Sequence, residues 1–439
     1  MSKALLDKLL AGSLRDPDNG GVLSVPVKLV ILGRHLTNAA ADLLAPLPFG
    51  KSIALVMDRQ TRAVMGEGVA ASLRTNHTVN EIVFDPSPHP DTGAVAFIRA
   101  RCENSDSVIA VGSGSLNDIA KHAAHMHRKP YAVFGTAPSM NGYTSAAAAL
   151  TEGGLKKSLP STAPLGVFLD LGVLARAPKR LIAAGIGDSL CRATAQVDWL
   201  MAHLLLDKPY REAPFMLLAE DEKALIANIK SIVEGDDAKI EVLARTLVMS
   251  GFGMTICGGS YPASEGEHLI AHYIDMLGQG LPAAYHGEHI AVTTTTMAAL
   301  QEQILSKDKL VISPSAESPD DFTRHFGEDL GRECWKAWLP KRIDASQAAA
   351  LNRKLARDWD DIRRKLKGVG RSAVEIEGDL KKAGAPTDPR MVGIPKVFYE
   401  NAVSHARWIR DRFTSLDLAV ACGLQEAPVA EYATAAAAP

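Results

Sequence analysis

Between residues 27 and 170 the chain alternates short, β-branched apolar runs with stretches of helical periodicity, and no other feature constrains its fold as strongly. The apolar runs fall at 27–32, 52–57, 79–84, 108–111 and 131–134. Each is of strand length and is followed by a stretch long enough for a crossover helix, which is the rhythm of a parallel sheet. After Asp170 the strand signals nearly vanish. Long helical patterns take over at 222–233, 239–249, 290–300 and 347–366. The expected architecture is an α/β N-terminal domain with a parallel sheet, followed by an all-α C-terminal domain. Ala177 and Pro178 interrupt the pattern just before a new helix. The expected division is therefore 1–174 for the α/β domain, 175–425 for a helical domain, and 426–439 for an Ala-rich tail.

A chain of 439 residues, 47% hydrophobic and 22% charged, is long enough for two sizeable cores. Its 48 basic and 50 acidic side chains give a net charge of −2, so no global field favours a nucleic-acid backbone or an anionic membrane. A small-molecule partner fits better. Five scattered cysteines without a C-x-x-C pair argue against a disulfide framework and a thiolate metal site. With no long apolar segment near the N-terminus and no later window expected to span a membrane, the reading is a cytoplasmic protein.

The run 108–111 enters Gly112-Ser113-Gly114-Ser115 and then a helical stretch. A strand, a glycine turn and a helix N-terminus present unpaired N–H groups and a positive dipole end, which suit a pyrophosphate. Such turns are also common without a ligand. Asp58 closes the second run, where a carboxylate accepts ribose hydroxyls and repels a 2′-phosphate; an acid there is more often a turn residue. In the helical half, His268 and His272 are four residues apart and share a helix face. His286 follows, and Asp188 precedes them. Two imidazoles and a carboxylate make a borderline-hard divalent site with open positions. Taken singly, a helical His pair is more often satisfied in the core or exposed, and Asp188 after Gly187 reads as a helix N-cap.

These segments occur in a familiar order. The run GSGSLNDIAK from Gly112 to Lys121 resembles the G-G-G-S-x-x-D-x-x-K loop of the iron-alcohol-dehydrogenase and dehydroquinate-synthase superfamily. TAPSMNGYTS from Thr136 to Ser145 resembles the T-A-P-S-M-D-G-Y-A-S segment of bacterial glycerol-1-phosphate dehydrogenases. AAGIGD ending at Asp188, Pro262-Ala263-Ser264 with Glu267 and His268, His286-Gly287-Glu288, and IRDRFTSLD ending at Asp417 continue the match in colinear order. The resemblance implies a dehydroquinate synthase-like fold and reduction of dihydroxyacetone phosphate to sn-glycerol 1-phosphate with NAD(H) or NADP(H). It also implies a divalent metal, zinc or nickel, and a homo-oligomer. By it, Asp188, His268 and His286 hold the metal and His272 contacts substrate. Gly112, Ser113, Gly114, Ser115, Asp118, Lys121, Thr136, Ser139 and Ser145 belong to the cofactor site, to which Asp58 is added.

Two departures from the pattern bear on the substrate. Asn141 stands where the family has an aspartate that binds substrate, which keeps size and an acceptor oxygen but removes charge and general-base capacity. Tyr261 likewise stands where the family has an arginine. Two other readings therefore stay open: a glycerol or polyol dehydrogenase, and a relative that binds nucleotide and metal without turnover. Lys156 and Lys157 are loop lysines that could meet a phosphate, although a solvated pair is the more ordinary reading.

Overall fold

A computed structural model describes residues 2–424; the expected tail at 426–439 lies outside them. The chain forms two compact units. Among the described residues, the first comprises 2–152, 156–189 and 211–260, the second 153–155, 190–210 and 261–424. The chain thus passes between units several times, where the sequence suggested a single division near residue 175.

The first unit is built on eight strands: β1 (Leu29–Gly33), β2 (Ser52–Asp58), β3 (Thr78–Phe84), β4 (Ser107–Gly112), β5 (Tyr131–Gly135), β6 (Ala147–Glu152), β7 (Leu155–Pro160) and β8 (Gly166–Asp170). Six form one parallel sheet in the order β1-β8-β5-β4-β2-β3, and β6 pairs with β7 separately. The central strands β4, β5 and β8 are buried at every position, as continuous apolar runs in a parallel sheet require. Edge strand β3 buries only Ile82 and leaves its other positions exposed or partly buried. All five expected runs are strands. The sequence reading missed β8, β6 and β7. The first is five residues long, where a short apolar run is ambiguous, and β6 is alanine-rich, with little β-propensity.

The sheet's order creates one position suited to a ligand. The chain leaves β2 toward β3 on one side and leaves β4 toward β5 on the other, although β2 and β4 are neighbours. The connections therefore diverge at the neighbouring carboxyl ends of β2 and β4, the position at which doubly wound sheets bind nucleotides. Asp58 ends β2 and Gly112 ends β4.

Helices Ala213–Val233 and Asp237–Cys257 pack as a pair in the first unit, joined by a buried Arg245–Asp221 ion pair of 2.7 Å. The second helix corrects the expectation that no window approaches a membrane span. Its 21 residues have a mean hydropathy of 1.4 over the best window, enough to cross a membrane by length and composition. Since 67% of that window is buried inside the protein, its apolarity is accounted for as a core helix.

The second unit is helical around an aromatic core of Phe322, Trp338, Trp359, Tyr399 and Trp408. Two of its helices start on side-chain caps that the sequence displays. Asp344 and Gln347 cap Ala345–Val369 reciprocally, and Ser372 and Glu375 do the same for Ala373–Ala383, which ends on left-handed Gly384. The four helices expected at 222–233, 239–249, 290–300 and 347–366 all form, each longer than its periodic stretch.

Candidate functional site

In the first unit, the glycine turn does what the pattern requires. Ser113 is the extended residue before helix Gly114–Met126, and its side chain makes no capping bond. The first intrahelical bond runs from the Asn117 N–H to the Ser113 carbonyl, so the N–H groups of residues 114–116 head the helix without intrahelical partners. A Cβ at Gly112 would meet Leu116 Cδ1 at 2.5 Å, so glycine lets β4 turn tightly onto the helix. The Ser139 hydroxyl lies 3.0 Å from that of Ser113, and the Thr136 N–H donates to the Gly112 carbonyl at 3.3 Å. Gly112, Ser113, Gly114, Ser115, Thr136 and Ser139 therefore gather at the carboxyl ends of adjacent strands β4 and β5.

Three other expected cofactor residues act one step back. Lys121 is fully buried; its ammonium donates to the Gly142 carbonyl at 3.1 Å and to Ser145 at 3.3 Å, and pairs with Asp118 at 3.2 Å. Burial lowers its pKa, and the Asp118 carboxylate works against that shift. Asp118 also accepts the N–H of Ala149 at 2.9 Å. Together Asp118, Lys121 and Ser145 hold the 136–146 loop on the helix. Asp58 takes the capping role: it accepts the Thr61 N–H at 2.7 Å and the Ser87 hydroxyl at 2.6 Å, and is buried.

The 136–146 loop is clamped by helices on glycines. A Cβ at Gly185, in helix Lys179–Leu190, would lie 1.7 Å from the Pro138 carbonyl oxygen, and one at Gly251 would lie 2.3 Å from Thr144 Oγ1. Both helices consequently approach the loop by their backbones. Thr144 donates to the Val248 carbonyl at 2.7 Å, and Thr255 donates to the Thr144 carbonyl at 3.0 Å. This approach lets the Asn141 N–H donate to Asp188 Oδ2 at 2.8 Å. Asp188 is 2% exposed and lies inside its helix, so it is not the N-cap that Gly187 suggested. The Asn141 side chain is also buried, and its Nδ2 has no hydrogen-bond partner.

In the second unit, His268 and His272 occupy helix Gly266–Leu277, and His286 is the first residue of helix His286–Leu305. The three rings converge: centroids are 5.8 Å apart for His268 and His272, 5.2 Å for His268 and His286, and 6.1 Å for His272 and His286. Such a cluster of nitrogen donors suits a borderline divalent ion. His268 Nδ1 is 2.9 Å from Glu267 Oε1. Cys191, Glu267 and His268 also bring ligand atoms within 4.8 Å of one another, a fully buried set that spacing alone did not reveal.

Buried acids fix the start of the first of these helices. Asp198 Oδ2 accepts the Gly266 N–H at 3.1 Å, while Oδ1 accepts from Gln301 at 3.0 Å, from the Ser415 N–H at 3.0 Å and from the Ser415 hydroxyl. A Cβ at Gly266 would lie 2.7 Å from Asp198 Oδ2, which explains the glycine. Burial pushes Asp198 up to about 7 and Glu265 well above the carboxylate range. Glu267 is pulled the other way: burial opposes its charge, but hydrogen bonds from His268 and from the Glu265 N–H hold it low. The sequence reading missed Asp198, Gln301 and Ser415. Ser415 stands in the IRDRFTSLD segment, so that motif serves in part to anchor the imidazole-bearing helix. Tyr261 stacks 5.9 Å from Trp199 with the Arg412 guanidinium 4.6 Å over its ring.

Comparison with known proteins places these features in a class. Residues 31–178 match the family described as iron-containing alcohol dehydrogenase. A probable glycerol dehydrogenase from Sinorhizobium meliloti 1021 superposes with a TM-score of 0.61 at 18% identity, over 92% of this chain and 98% of that one. NADH-dependent butanol dehydrogenase A from Thermotoga maritima gives 0.59 at 15%, over 92% and 94%. The fold is that of the iron-containing alcohol dehydrogenases, and the protein is an NAD(P)-linked oxidoreductase.

Similarity in sequence narrows this. Glycerol-1-phosphate dehydrogenase [NAD(P)+] from Bacillus velezensis is 30% identical over 373 residues, 83% of this chain and 84% of that protein. The protein of the same name from Geobacillus thermodenitrificans is 28% identical over 92% and 94% of the two chains. The chain belongs to the glycerol-1-phosphate dehydrogenase family, as a polyol-phosphate dehydrogenase.

Proposed function

We propose that the chain reduces dihydroxyacetone phosphate to sn-glycerol 1-phosphate, using NADH in preference to NADPH and one divalent metal, zinc or nickel, held by Asp188, His268 and His286. The observation that carries this reading is the convergence of the imidazoles of His268, His272 and His286 within the second unit. Its donor set fits a metal: two neutral nitrogens and a carboxylate leave coordination positions for a substrate oxygen. Bound metal would supply Lewis acidity toward the ketone oxygen, and the nicotinamide the hydride.

The chain's own residues perform the rest. The helix N-terminus at residues 114–116 receives the pyrophosphate on N–H groups and the positive end of the helix dipole, flanked by the hydroxyls of Ser113 and Ser139. His272 steers the substrate and holds or passes a proton at its oxygen. Asn141 offers its side-chain amide to a substrate oxygen or hydroxyl while its backbone holds Asp188. Lys157 is a weaker phosphate anchor than its position suggested, because it pairs with Glu152 at 2.9 Å. The reading keeps the protein in the cytoplasm as a homo-oligomer, without nucleic-acid or membrane partners.

A second reading, a dehydrogenase of another polyol or ketone, is favoured by Asn141 alone, since an amide in place of a carboxylate changes what the pocket binds. The test is NADH oxidation by metal-loaded protein with dihydroxyacetone phosphate, dihydroxyacetone and a panel of ketones side by side. The phosphorylated substrate is expected to give the highest kcat/KM, and a higher value for an unphosphorylated ketone would overturn the assignment.

A further inference from the structure

The carboxylate of Glu267 is fully buried, yet the proposed chemistry gives it no part. Its Oε1 accepts the Glu265 N–H at 2.8 Å and faces His268 Nδ1 at 2.9 Å, while Oε2 lies 3.2 Å from the Thr194 hydroxyl. Burying a carboxylate is costly, and this one is compensated by a hydrogen-bond set that ends on an imidazole. An ionised carboxylate only accepts, as Oε1 does from the backbone N–H. The contact with His268 is a hydrogen bond only if Nδ1 donates. A neutral imidazole with its proton on Nδ1 has its lone pair on Nε2. Carboxylates that orient metal-binding histidines in this way raise ligand basicity and fix the ring.

We propose that Glu267 is a positioning residue that fixes His268 as the Nδ1–H tautomer and so presents Nε2 as the metal-binding atom. The inference rests on the metal reading above. Thr194 completes the arrangement, with its hydroxyl 2.8 Å from the Cys191 carbonyl and within reach of Oε2. The competing possibility is that Glu267 and Cys191 are themselves ligands, because their donor atoms and those of His268 lie within 4.8 Å of one another.

The experiment combines two readouts on the full chain. Nitrogen-15 NMR of histidine-labelled, metal-free protein reads the His268 tautomer, with the resonance assigned by its loss in His268→Gln. Competition of Zn²⁺ against a chelator reads affinity in the unaltered protein, Glu267→Gln and Glu267→Met. The expected results are an Nδ1-protonated His268, a loss of affinity of about tenfold in Glu267→Gln, where an amide oxygen still accepts, and up to about 100-fold in Glu267→Met. An Nε2-protonated His268, or unchanged affinity in both variants, would overturn the proposal. So would Co²⁺-loaded protein that shows a thiolate charge-transfer absorption lost in Cys191→Ser, because Glu267 and Cys191 would then be ligands. If Glu267→Met does not fold, the tautomer and the glutamine variant still decide. An unaltered protein that binds no metal but has the Nδ1–H tautomer would sink the metal reading while leaving Glu267 as the residue that fixes the ring.

Discussion

The backbone N–H of Asn141 donates to Asp188 Oδ2 at 2.8 Å, while the Asn141 side-chain Nδ2 is buried without a partner. The residue therefore works with two separable parts, a main chain that orients a carboxylate and a side chain left for something else. An aspartate at this position would keep the first part and change the second.

Asn141→Asp is accordingly expected to leave folding largely intact and to alter kcat/KM for dihydroxyacetone phosphate modestly. A hydrogen bond to a charged group exceeds a neutral one by about 1 kcal/mol, roughly fivefold in rate. Steady-state kinetics of the two proteins measures this ratio. A gain of a hundredfold or more would mean that the natural chain works on a different ketone, and turnover absent from both proteins across a ketone panel would favour a non-catalytic relative.

Gly185 makes the Asn141–Asp188 bond possible, since its missing Cβ is what lets the helix lie against the Pro138 carbonyl. Gly185→Ala should push the helix off the loop and cost about 1–3 kcal/mol, the usual range for overpacking, with the rigid backbone obstacle favouring the upper end. Denaturant unfolding measures the loss. An alanine variant as stable and active as the unaltered protein would show that the close approach is not required.

His286→Ala should empty the proposed metal site, because a two-ligand remnant holds a divalent ion poorly. Elemental analysis after dialysis is the check. Stoichiometric metal in that variant would remove His286 from the ligand set and turn attention to Cys191, Glu267 and His268.

The sheet was legible in sequence where strands were long, apolar and β-branched, as in 52–57 and 108–111, because burial on both faces leaves an unbroken apolar run. Gly166–Asp170 was not, since so short an apolar run fits a strand or a buried helix equally. The imidazole cluster was legible as spacing, with His268 and His272 one helical turn apart. The residues that position it were not. Asp198, Gln301 and Ser415 meet across more than 100 residues of chain, and a lone buried polar residue carries no local pattern. Lys121 is the converse case: a conspicuous motif residue whose buried ammonium also holds a loop in place.

Asp58 caps a helix through one oxygen and takes the Ser87 hydroxyl with the other, at the end of the strand flanking the nucleotide crevice. Its charge should still oppose a 2′-phosphate, so NADH is expected to be preferred. Asp58→Asn keeps an acceptor for the Thr61 N–H and should narrow the gap between the two cofactors with little loss of stability; Asp58→Gly should narrow it too, losing the cap as well. Equal or better kcat/KM with NADPH in the unaltered protein would refute the preference.

His325 Nε2 lies 2.8 Å from the Tyr273 hydroxyl, and its ring stacks 4.0 Å from that of His405. Burial, reinforced by the neighbouring imidazole, lowers His325 to about 4 from an ordinary value of 6.5. Above about pH 6.5 the ring is neutral whether the chain is folded or not, so it adds no pH dependence. As the pH falls from 6.5 toward 4, the unfolded chain takes up a proton that the folded one refuses, and stability declines. Below 4 both states are protonated and the decline from this residue stops. His405 is lowered in the same direction by burial and adds to the slope. Denaturant midpoints measured between pH 7 and 4 should therefore fall less steeply in His325→Gln, which has no proton to gain, than in the unaltered protein. Parallel curves for the two proteins over that interval would show that His325 titrates alike in both states and that the aromatic cluster does not hold it neutral.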